Sequence, residues 1–556
     1  MRKVYIAVFI TFLLSVTLFV GSLFYLDKEK HKVFYFTVTA DGHDAESVKI
    51  DKYITEDKLI YKSQVSSPFN PLWTESRSRI ALDSRYNLQS YSQEDSGPGL
   101  QDTVYLENTN ENISYVATSR SEFACLTDLP IKKGTFVFEE FSPGTYLPIL
   151  ENYDFNIGRS QAFNVITQFT ILLPPMKRLL TLTSIRDEYL KIGTRKIKVE
   201  CLVIKIRNSP QGMLWVTKSG RSLVAIEFPD KKIRISRSFV PKTLEVKKFY
   251  FNSELYREDN VKFNNKKIVL SATITIPKKD SPRPAVLLIG GNKGYDREEG
   301  GLFTDIADNL GKKGFMVLRF DKRGSGSSSA DSRSVTNKDE LEDASSALDY
   351  LLSRKEVDPG MVSVIGHGKG ALLAAKLSLE RKEIKGLLFM APLISSGGET
   401  DLNFDNLKEM AVKMKWSEQY LKIAIKSRME TVERVGKTKS NWISLLRTRC
   451  FLKKLREELE EKPTDIIRKI EVPVLILYGK EDEFIPPQAA ATLDKALEES
   501  GNKNHKLVYY SYLGHFFGNF INDGLNKAHY EVDGSVLDTI AQWLYENVPA
   551  APPVSP

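Results

Sequence analysis

The stretch "VSVIGHGKGALLAA" (Val362–Ala375) decides the fold, because it joins an apolar strand to a helix through a tight glycine turn. A strand, turn and helix with the pattern G-x-S-x-G hold a nucleophilic serine on a sharp turn at the top of a sheet. Here the pattern spans Gly366–Gly370, and Gly368 occupies the position of the serine. The stretch therefore predicts a nucleophile turn from which the nucleophile itself is missing.

Short apolar runs alternate with helical stretches on both sides of this turn. The runs are "KKIVLSATITIP", "PAVLLIGG", "FMVLRFDKRG", "MVSVIGHG", "GLLFMAPL" and "VPVLILYGKED". Strands that are apolar on both faces and alternate with helices are typical of a parallel α/β sheet. We expect this domain to span 246–548, with a helical cap at about 400–470 and a disordered, proline-rich tail at 549–556.

Two polar residues follow later strands in the order expected of a catalytic acid and base. Asp482 stands just after "VPVLILYG", and His515 follows "LVYYSYLG". The carboxyl ends of the strands are where open α/β sheets place ligands and chemistry. The order nucleophile, acid, histidine is that of the triad built on a turn of this kind. We therefore predict that Gly368, Asp482 and His515 share one site.

The same glycines fit two phosphate-binding patterns in part. Gly366, Gly368 and Ala371 satisfy G-x-G-x-x-A, but that fingerprint belongs on the first strand of its unit and requires an acidic residue about 20 positions further on. The next strand ends in "FMAPL" and provides none. Gly370 also replaces the Ser or Thr with which a P-loop holds magnesium. Nucleotide binding is not expected, and no cofactor is predicted.

Residues from about 246 to 548 resemble the dienelactone hydrolase and serine aminopeptidase-like branch of the α/β-hydrolase superfamily. "GGNKGYDREE" is similar to the branch's loop G-S-G-P-x-D-R-D-E, with Asn292 where serine is common. "FDKRGSGSS" is close to its D-K-R-G-x-G-x-S loop, and "GHGKGA" stands where the branch has G-H-S-x-G-G. "GKEDEFIPP" and "GHFF" are similar to its acid and histidine segments. The resemblance implies an α/β-hydrolase fold.

The resemblance also implies acyl transfer on substrates that carry an ester or amide bond. His515 would then be the general base, and Asp482 would orient it. The backbone N–H groups of Asn292 and Lys369 would form the oxyanion hole. The implied partner is a small acyl or peptide-like ligand, and no metal is expected.

The glycine at position 368 leaves three interpretations open, because glycine has no atom that attacks a carbonyl. The chain is a pseudohydrolase that binds a ligand, or residue 368 is an altered position of an active serine hydrolase, or His515 and Asp482 activate a water in the vacated space. The acid, the histidine and the residues at 296–297 match the family and favour a recent or artificial loss. The departures at 292–293 favour a real loosening of the site.

The residues before this domain, 31–245, favour a β-rich antiparallel unit. "RKIKVECLVIKI" alternates apolar and polar residues, and "GMLWVTKSGRSLVAIEFPDKKIRISRS" is typical of three strands joined by turns at 218–220 and 229–231. The pattern resembles the lipoprotein-carrier-like sheets of exported bacterial proteins. A different class of function therefore stays open, in which this unit carries a lipid or peptide and the hydrolase-like domain is a scaffold.

An unbroken apolar run from Val4 to Leu26 follows two basic residues. At about 1.5 Å per residue the run is long enough for the ~30 Å core of a bilayer. A secretory signal has a shorter apolar region and a small-residue cleavage site, and no such site is evident before Asp27. We predict an uncleaved signal anchor at 1–30 that holds an exported (periplasmic or extracellular) protein on the membrane; a cleaved signal is the alternative.

Composition excludes several other classes. The chain has 556 residues and a net charge of +8, and 27% of its residues are charged, which is typical of a globular protein with more than one domain. Its basic residues are not clustered among aromatic ones, so nucleic-acid binding is not expected. The three cysteines, Cys125, Cys201 and Cys450, are scattered and form neither a disulfide framework nor a zinc motif.

Overall fold

The computed structural model describes residues 31–548 except for 41–42, 68–73, 98–100, 121, 158–159, 168–172, 193–194, 207–211, 219, 239–253, 279–281, 292–294, 394–406, 409–410, 413–415, 483, 486 and 522–528. The predicted signal anchor at 1–30, the domain boundary at 245–246 and the tail at 549–556 therefore lie outside the described residues. Among the helices that are described, none is long and apolar enough to span a membrane.

The first half of the chain forms one fifteen-stranded sheet. Its strands are β1 (His31–Ala40), β2 (His43–Ile54), β3 (Lys58–Ser66), β4 (Glu75–Asp83), β5 (Leu88–Ser96), β6 (Gln101–Thr109), β7 (Asn112–Ser119), β8 (Glu122–Pro130), β9 (Phe136–Val137), β10 (Gln161–Thr167), β11 (Met176–Ile192), β12 (Arg195–Ile206), β13 (Gly212–Thr217), β14 (Ser222–Phe228) and β15 (Ile233–Ser238). Strands β1 to β8 follow one another toward one edge, and β15 back to β9 follow one another toward the other edge. Among the described pairings of this sheet, only that of β9 and β10 is parallel, and β1 joins the two series by pairing with β15. The predicted β-rich unit is confirmed, with "RKIKVECLVIKI" as the whole of β12.

One hydrophobic core connects both series of strands to the helix α1 (Pro143–Glu151). Phe36 of β1, Tyr115 of β7 and Leu180 of β11 are almost fully buried and belong to the same cluster as Tyr146 and Leu150 of the helix. The Tyr91 hydroxyl of β5 donates to Glu139, just after the edge strand β9, at 2.7 Å. Neighbouring strands lie about 4.8 Å apart, so a flat sheet would hold β5 and β9 far from each other. The sheet therefore curves around α1.

The second half of the chain forms an eight-stranded sheet and two hairpins. The strands are β16 (Tyr256–Asn265), β17 (Ile268–Pro277), β18 (Arg283–Ile289), β19 (Met316–Phe320), β20 (Val357–His367), β21 (Ile384–Met390), β22 (Trp442–Leu445), β23 (Thr448–Phe451), β24 (Val474–Gly479), β25 (His505–Tyr510), β26 (Gly518–Ile521) and β27 (His529–Val532). The helices are α2 (Leu302–Lys312), α3 (Asn337–Leu352), α4 (Gly370–Glu380), α5 (Glu418–Lys437), α6 (Lys453–Glu460), α7 (Pro463–Ile467), α8 (Pro487–Glu499) and α9 (Gly534–Asn547).

The large sheet has the order β16-β17-β19-β18-β20-β21-β24-β25. Strand β17 is antiparallel to both of its neighbours, and all pairings from β19 to β25 are parallel. The predicted α/β-hydrolase fold is confirmed, and β16 is an additional strand that was not predicted. Because β20, β24 and β25 are parallel, their carboxyl ends meet at one edge of the sheet, where the three predicted site residues follow them.

The segment between β21 and β24 differs from the helical cap expected at about 400–470. Residues 442–451 form the hairpin of β22 and β23 instead of a helix. Helix α5 lies against β8, where the Ser427 hydroxyl donates to the carbonyl of Cys125 at 2.8 Å. Cys125 shares a small buried core with Val435 and Cys450, and all three cysteines of the chain are free thiols. The insertion therefore joins the second domain to an edge strand of the first sheet.

Candidate active site

The predicted nucleophile turn lies between β20 and α4. Strand β20 ends at His367, helix α4 begins at Gly370, and Gly368 has a φ of +55°. Its N–H donates to the carbonyl of Met390, at the end of the neighbouring strand, at 3.0 Å. A φ in the left-handed region is unfavourable for residues other than glycine, so the backbone here has the strained form of a nucleophile turn.

The three glycines of the turn face different surroundings. A Cβ on Gly366 would lie 2.4 Å from the Gly370 carbonyl oxygen, and a Cβ on Gly370 would lie 2.2 Å from that of Ile289. Among the described residues, the atoms nearest to a Cβ on Gly368 are Gly291 Cα at 3.7 Å and His515 Nε2 at 4.0 Å. The outer glycines are therefore required by close backbone contacts, whereas position 368 has room for a small side chain.

Asp482 and His515 form the acid–histidine pair that the sequence predicted to meet here. His515 Nδ1 lies 2.8 Å from Asp482 Oδ2, and both residues are buried. The other carboxylate oxygen, Oδ1, accepts the backbone N–H groups of Phe484 at 2.8 Å and Ile485 at 2.9 Å. Burial alone would raise the pKa of Asp482, but the charge of His515 and these hydrogen bonds hold it below its usual range. Asp482 is therefore ionised, and Nδ1 of His515 carries a proton toward it.

This pair directs the second nitrogen of His515 toward Gly368. When the ring is neutral with its proton on Nδ1, Nε2 is the basic nitrogen. Nε2 is also the atom 4.0 Å from the Cβ position of residue 368. The geometry is that of a general base beside a nucleophile position, although the side chain that it would activate is absent.

A second histidine, His367, was not among the predicted site residues and holds the loop that carries His515. His367 Nε2 lies 3.1 Å from the carbonyl oxygen of His515, so it donates a hydrogen bond there. Its Nδ1 lies 2.9 Å from Glu299 Oε1, which also accepts the Gly291 N–H at 2.8 Å. Burial alone would raise the pKa of Glu299, and the hydrogen bond and charge of His367 lower it below its usual range. The only signal in the sequence was the position of His367 beside Gly368.

The proposed oxyanion-hole residues are only partly described. Asn292 lies outside the described residues, and its role stays a prediction. Lys369 immediately precedes α4, and its side chain extends away from the turn to Glu122 at 2.6 Å and Glu458 at 3.3 Å. Gly291, next to Asn292, accepts a hydrogen bond from the ammonium of Lys322. Burial lowers the pKa of Lys322 to about 8, although the carboxylate of Glu340 opposes that shift.

The two other loops that carried the resemblance bind each other. Arg297 Nη2 lies 2.6 Å from Asp321 Oδ2, and its backbone N–H donates to Oδ1 at 2.8 Å. The Ser328 hydroxyl donates to the Asp321 carbonyl at 2.7 Å, and the Ser325 hydroxyl accepts from Arg120 at 2.6 Å. These serines stabilise the loop and its contact with the first sheet.

The first sheet reaches the site through the turn between β7 and β8. Arg120 is 7% exposed and donates to the Ser325 hydroxyl and, at 3.3 Å, to the carbonyl of Arg323. Glu122 binds the ammonium of Lys369, the residue that follows Gly368. The β-rich domain therefore packs directly against the residues around the nucleophile position.

Comparisons with known proteins found a matching family model, related sequences and similar solved structures. A family model described as serine aminopeptidase, S33, matches residues 280–519. Esterase EstD from Thermotoga maritima is 27% identical over 309 residues, which cover 53% of this chain and 69% of that protein. The uncharacterized protein YcjY from Escherichia coli is 30% identical over 128 residues, 22% of this chain and 41% of that protein. Among solved structures, Est1E from Butyrivibrio proteoclasticus with bound ferulic acid matches at 19% identity and a TM-score of 0.37, covering 52% of this chain and 99% of its own.

Proposed function

The C-terminal domain of this chain belongs to the α/β-hydrolase superfamily, a group of esterases and other hydrolases, and from that premise we propose that the chain is a pseudohydrolase. Its site binds a small ligand with an ester or amide bond but forms no acyl-enzyme. Asp482 and His515 are the acid and base of the ancestral triad, and Gly368 is the nucleophile position. The N–H groups of Asn292 and Lys369 bind the ligand's carbonyl oxygen.

The observation that carries this proposal is the gap between His515 and Gly368. The base nitrogen lies 4.0 Å from the Cβ position of a residue whose backbone already has a left-handed φ of +55°. Where a catalytic serine has been removed from such a triad, kcat fell by about 10⁶-fold. A bound carbonyl can still be polarised by oxyanion-hole donors, which supports ligand binding with little turnover.

The test restores the missing atom. The unmodified chain should not react with a fluorophosphonate probe, whereas Gly368→Ser should be labelled at residue 368, as located by mass spectrometry of the peptide. Labelling should fail in the double variant Gly368→Ser/His515→Ala, because the serine then has no base. Gly436→Ser is the matched control, since position 436 is an exposed glycine and no atom of the described residues lies within 4 Å of its Cβ position.

Each outcome decides between the interpretations. Labelling of Gly368→Ser that depends on His515 supports a site that lacks one side chain. Absence of labelling in a folded Gly368→Ser protein favours a pseudohydrolase whose remaining site has also drifted and is kept for binding. Ester turnover by the unmodified chain that is lost in His515→Ala favours an activated water in the gap instead. Turnover that survives His515→Ala overturns the assignment of the site.

The run from Val4 to Leu26 supports a second proposal, that the chain is held on a membrane with its folded part exported. Detergent, and not high salt, should then release the full chain from a membrane fraction, because an apolar anchor is not held by charge. Recovery of soluble protein that begins after about residue 20 would show a cleaved signal instead.

A further inference from the structure

An exposed phenylalanine contacts the ring of His515. Three described rings lie against this imidazole: those of His367, Phe516 and Phe484, with centroids at 4.6, 5.0 and 5.3 Å. His367 and Phe516 are buried, whereas Phe484 is 39% exposed. The first two rings therefore hold the imidazole against the interior of the domain, and Phe484 is the one of the three that borders solvent.

The acid of the pair fixes the backbone that carries this exposed ring. Asp482 Oδ1 accepts the N–H groups of Phe484 at 2.8 Å and Ile485 at 2.9 Å. Ile485 is buried, and its carbonyl accepts the hydroxyl of the buried Tyr478 at 2.5 Å. The ring of Phe484 is therefore held beside the imidazole by the same carboxylate that orients it. An aromatic side chain in such a position offers a large contact area at a low cost in conformational entropy, because it has only two torsions.

The geometry of acyl transfer determines which part of a ligand meets Phe484. The base of a triad takes the proton of the nucleophile and passes it to the departing alcohol or amine. That part of the ligand therefore lies beside Nε2 of His515, while the carbonyl oxygen lies in the oxyanion hole. Because the substituents of a carbonyl carbon diverge, the acyl group points away from the base. A ligand that binds in this orientation without reacting places its alcohol or amine part nearest to Phe484.

We propose that Phe484 makes the site selective for ligands whose alcohol or amine part is apolar, and aromatic above all. This inference names the ligand class of the proposed function and rests on that function. An apolar group that covers the phenyl ring removes surface of both partners from water, and an aromatic group adds a stacked or edge-to-face contact. An anionic group at the same place loses its water without gaining a hydrogen bond from the ring.

The test compares two isomeric esters, benzyl acetate and methyl phenylacetate. The aromatic ring is on the alcohol side in the first and on the acyl side in the second. Binding to the full unmodified chain in phosphatidylcholine nanodiscs is measured by saturation-transfer NMR, with empty nanodiscs as background. We expect benzyl acetate to bind more tightly. Phe484→Ala should raise its Kd roughly fivefold to tenfold, the effect of losing one aromatic pair, and leave that of methyl phenylacetate nearly unchanged.

Tyr509→Ala is the matched control. Tyr509 is an aromatic residue of the same domain with 40% exposure, and it lies on β25 with its ring against Tyr478. This variant should leave the Kd of both esters unchanged. Phe484→Leu keeps an apolar side chain without the ring, so it should weaken the binding of benzyl acetate less than alanine does. If Phe484→Ala does not fold, the difference between the two esters in Phe484→Leu makes the same test.

The difference between the two esters separates a direct contact from a disturbed site. An equal rise in both Kd values in Phe484→Ala would overturn the proposal, because it would show a general effect on His515. The same loss of benzyl acetate binding in Tyr509→Ala would also overturn it. If both esters bind and Phe484→Ala changes neither, this inference fails and the proposed function stands. If neither ester binds the unmodified chain, the binding function proposed above fails together with it.

Discussion

Replacing Gly368 by alanine and by serine measures how far the turn is prepared for a side chain. Alanine adds a Cβ in the left-handed region, which costs roughly 1–2 kcal/mol, and the nearest atoms at 3.7 Å and 4.0 Å are at ordinary contact distance. Serine has the same backbone strain, but its hydroxyl can donate to Nε2 of His515, and such a hydrogen bond stabilises the folded state by about 0.5–1.5 kcal/mol. We therefore expect Gly368→Ala to lower the free energy of unfolding by about 1–2 kcal/mol, and Gly368→Ser to lower it by less.

Gly370→Ala is the contrasting variant in the same turn. Its Cβ would lie 2.2 Å from the backbone oxygen of Ile289, so strand β18 or helix α4 has to shift. Overpacking of this kind typically costs about 1–3 kcal/mol and more where rigid backbone is displaced. We expect Gly370→Ala to lower the free energy of unfolding clearly more than Gly368→Ala does.

The assay is urea denaturation of each variant, with midpoints compared at a common slope. Repeating both substitutions at 368 in the background His515→Ala completes a double-mutant cycle, which isolates the contact between the serine and the imidazole. The advantage of serine over alanine should disappear there. A loss for Gly368→Ala as large as that for Gly370→Ala would refute the argument that position 368 has room, and an advantage of serine that persists without His515 would refute the contact.

Three further variants test the surroundings of the site. Burial raises the pKa of Asp102 from 3.8 to about 7. The unfolded chain therefore releases this proton at a lower pH than the folded chain does, and stability falls as pH rises between these two values. Asp102→Asn should be more stable than the parent by about 2–4 kcal/mol at pH 8 but not at pH 3, as measured by denaturation at both pH values. Arg120→Met should lower stability by about 2–3 kcal/mol, since it leaves the buried Ser325 hydroxyl without its charged donor, and an unchanged midpoint would contradict that contact. His367→Ala should lower the free energy of unfolding by about 3–5 kcal/mol, because the Glu299 carboxylate stays buried without the imidazole. The double variant His367→Ala/Glu299→Leu should recover part of that stability.

The parallel sheet was predictable because its strands are short, apolar on both faces and separated by helical periods. The nucleophile turn was predictable because Gly366 and Gly370 are required where the backbone of α4 approaches β18 and β20, and close backbone contact leaves a glycine signal in the sequence. The order of Asp482 and His515 after two later strands then fixed the edge of the sheet on which they meet. These predictions needed only local patterns and the rule that parallel strands end on one side.

The hairpin at 442–451 was missed for a physical reason. Its turn contains no glycine, proline or asparagine, and Leu446 takes the left-handed φ of +51° that such residues usually supply. A helix was predicted instead, because four leucines fall near one helical face: Leu445, Leu452, Leu455 and Leu459. In the structure Leu452 and Leu455 pack with the edge of the first sheet, so tertiary contacts across the domain boundary determine this conformation.

The contacts between the domains show why the candidate site cannot be understood from the hydrolase motifs alone. Glu122 and Lys369 are separated by 247 positions and bind each other at 2.6 Å, and no local pattern links residues so distant. The ion pair places the turn between β7 and β8 beside the residue that follows Gly368. The first sheet therefore contributes to the surroundings of this site. If the two domains act independently, charge reversal at Glu122→Lys leaves probe labelling of Gly368→Ser unchanged, whereas a change in the labelling rate indicates that the β-rich domain controls access to the site.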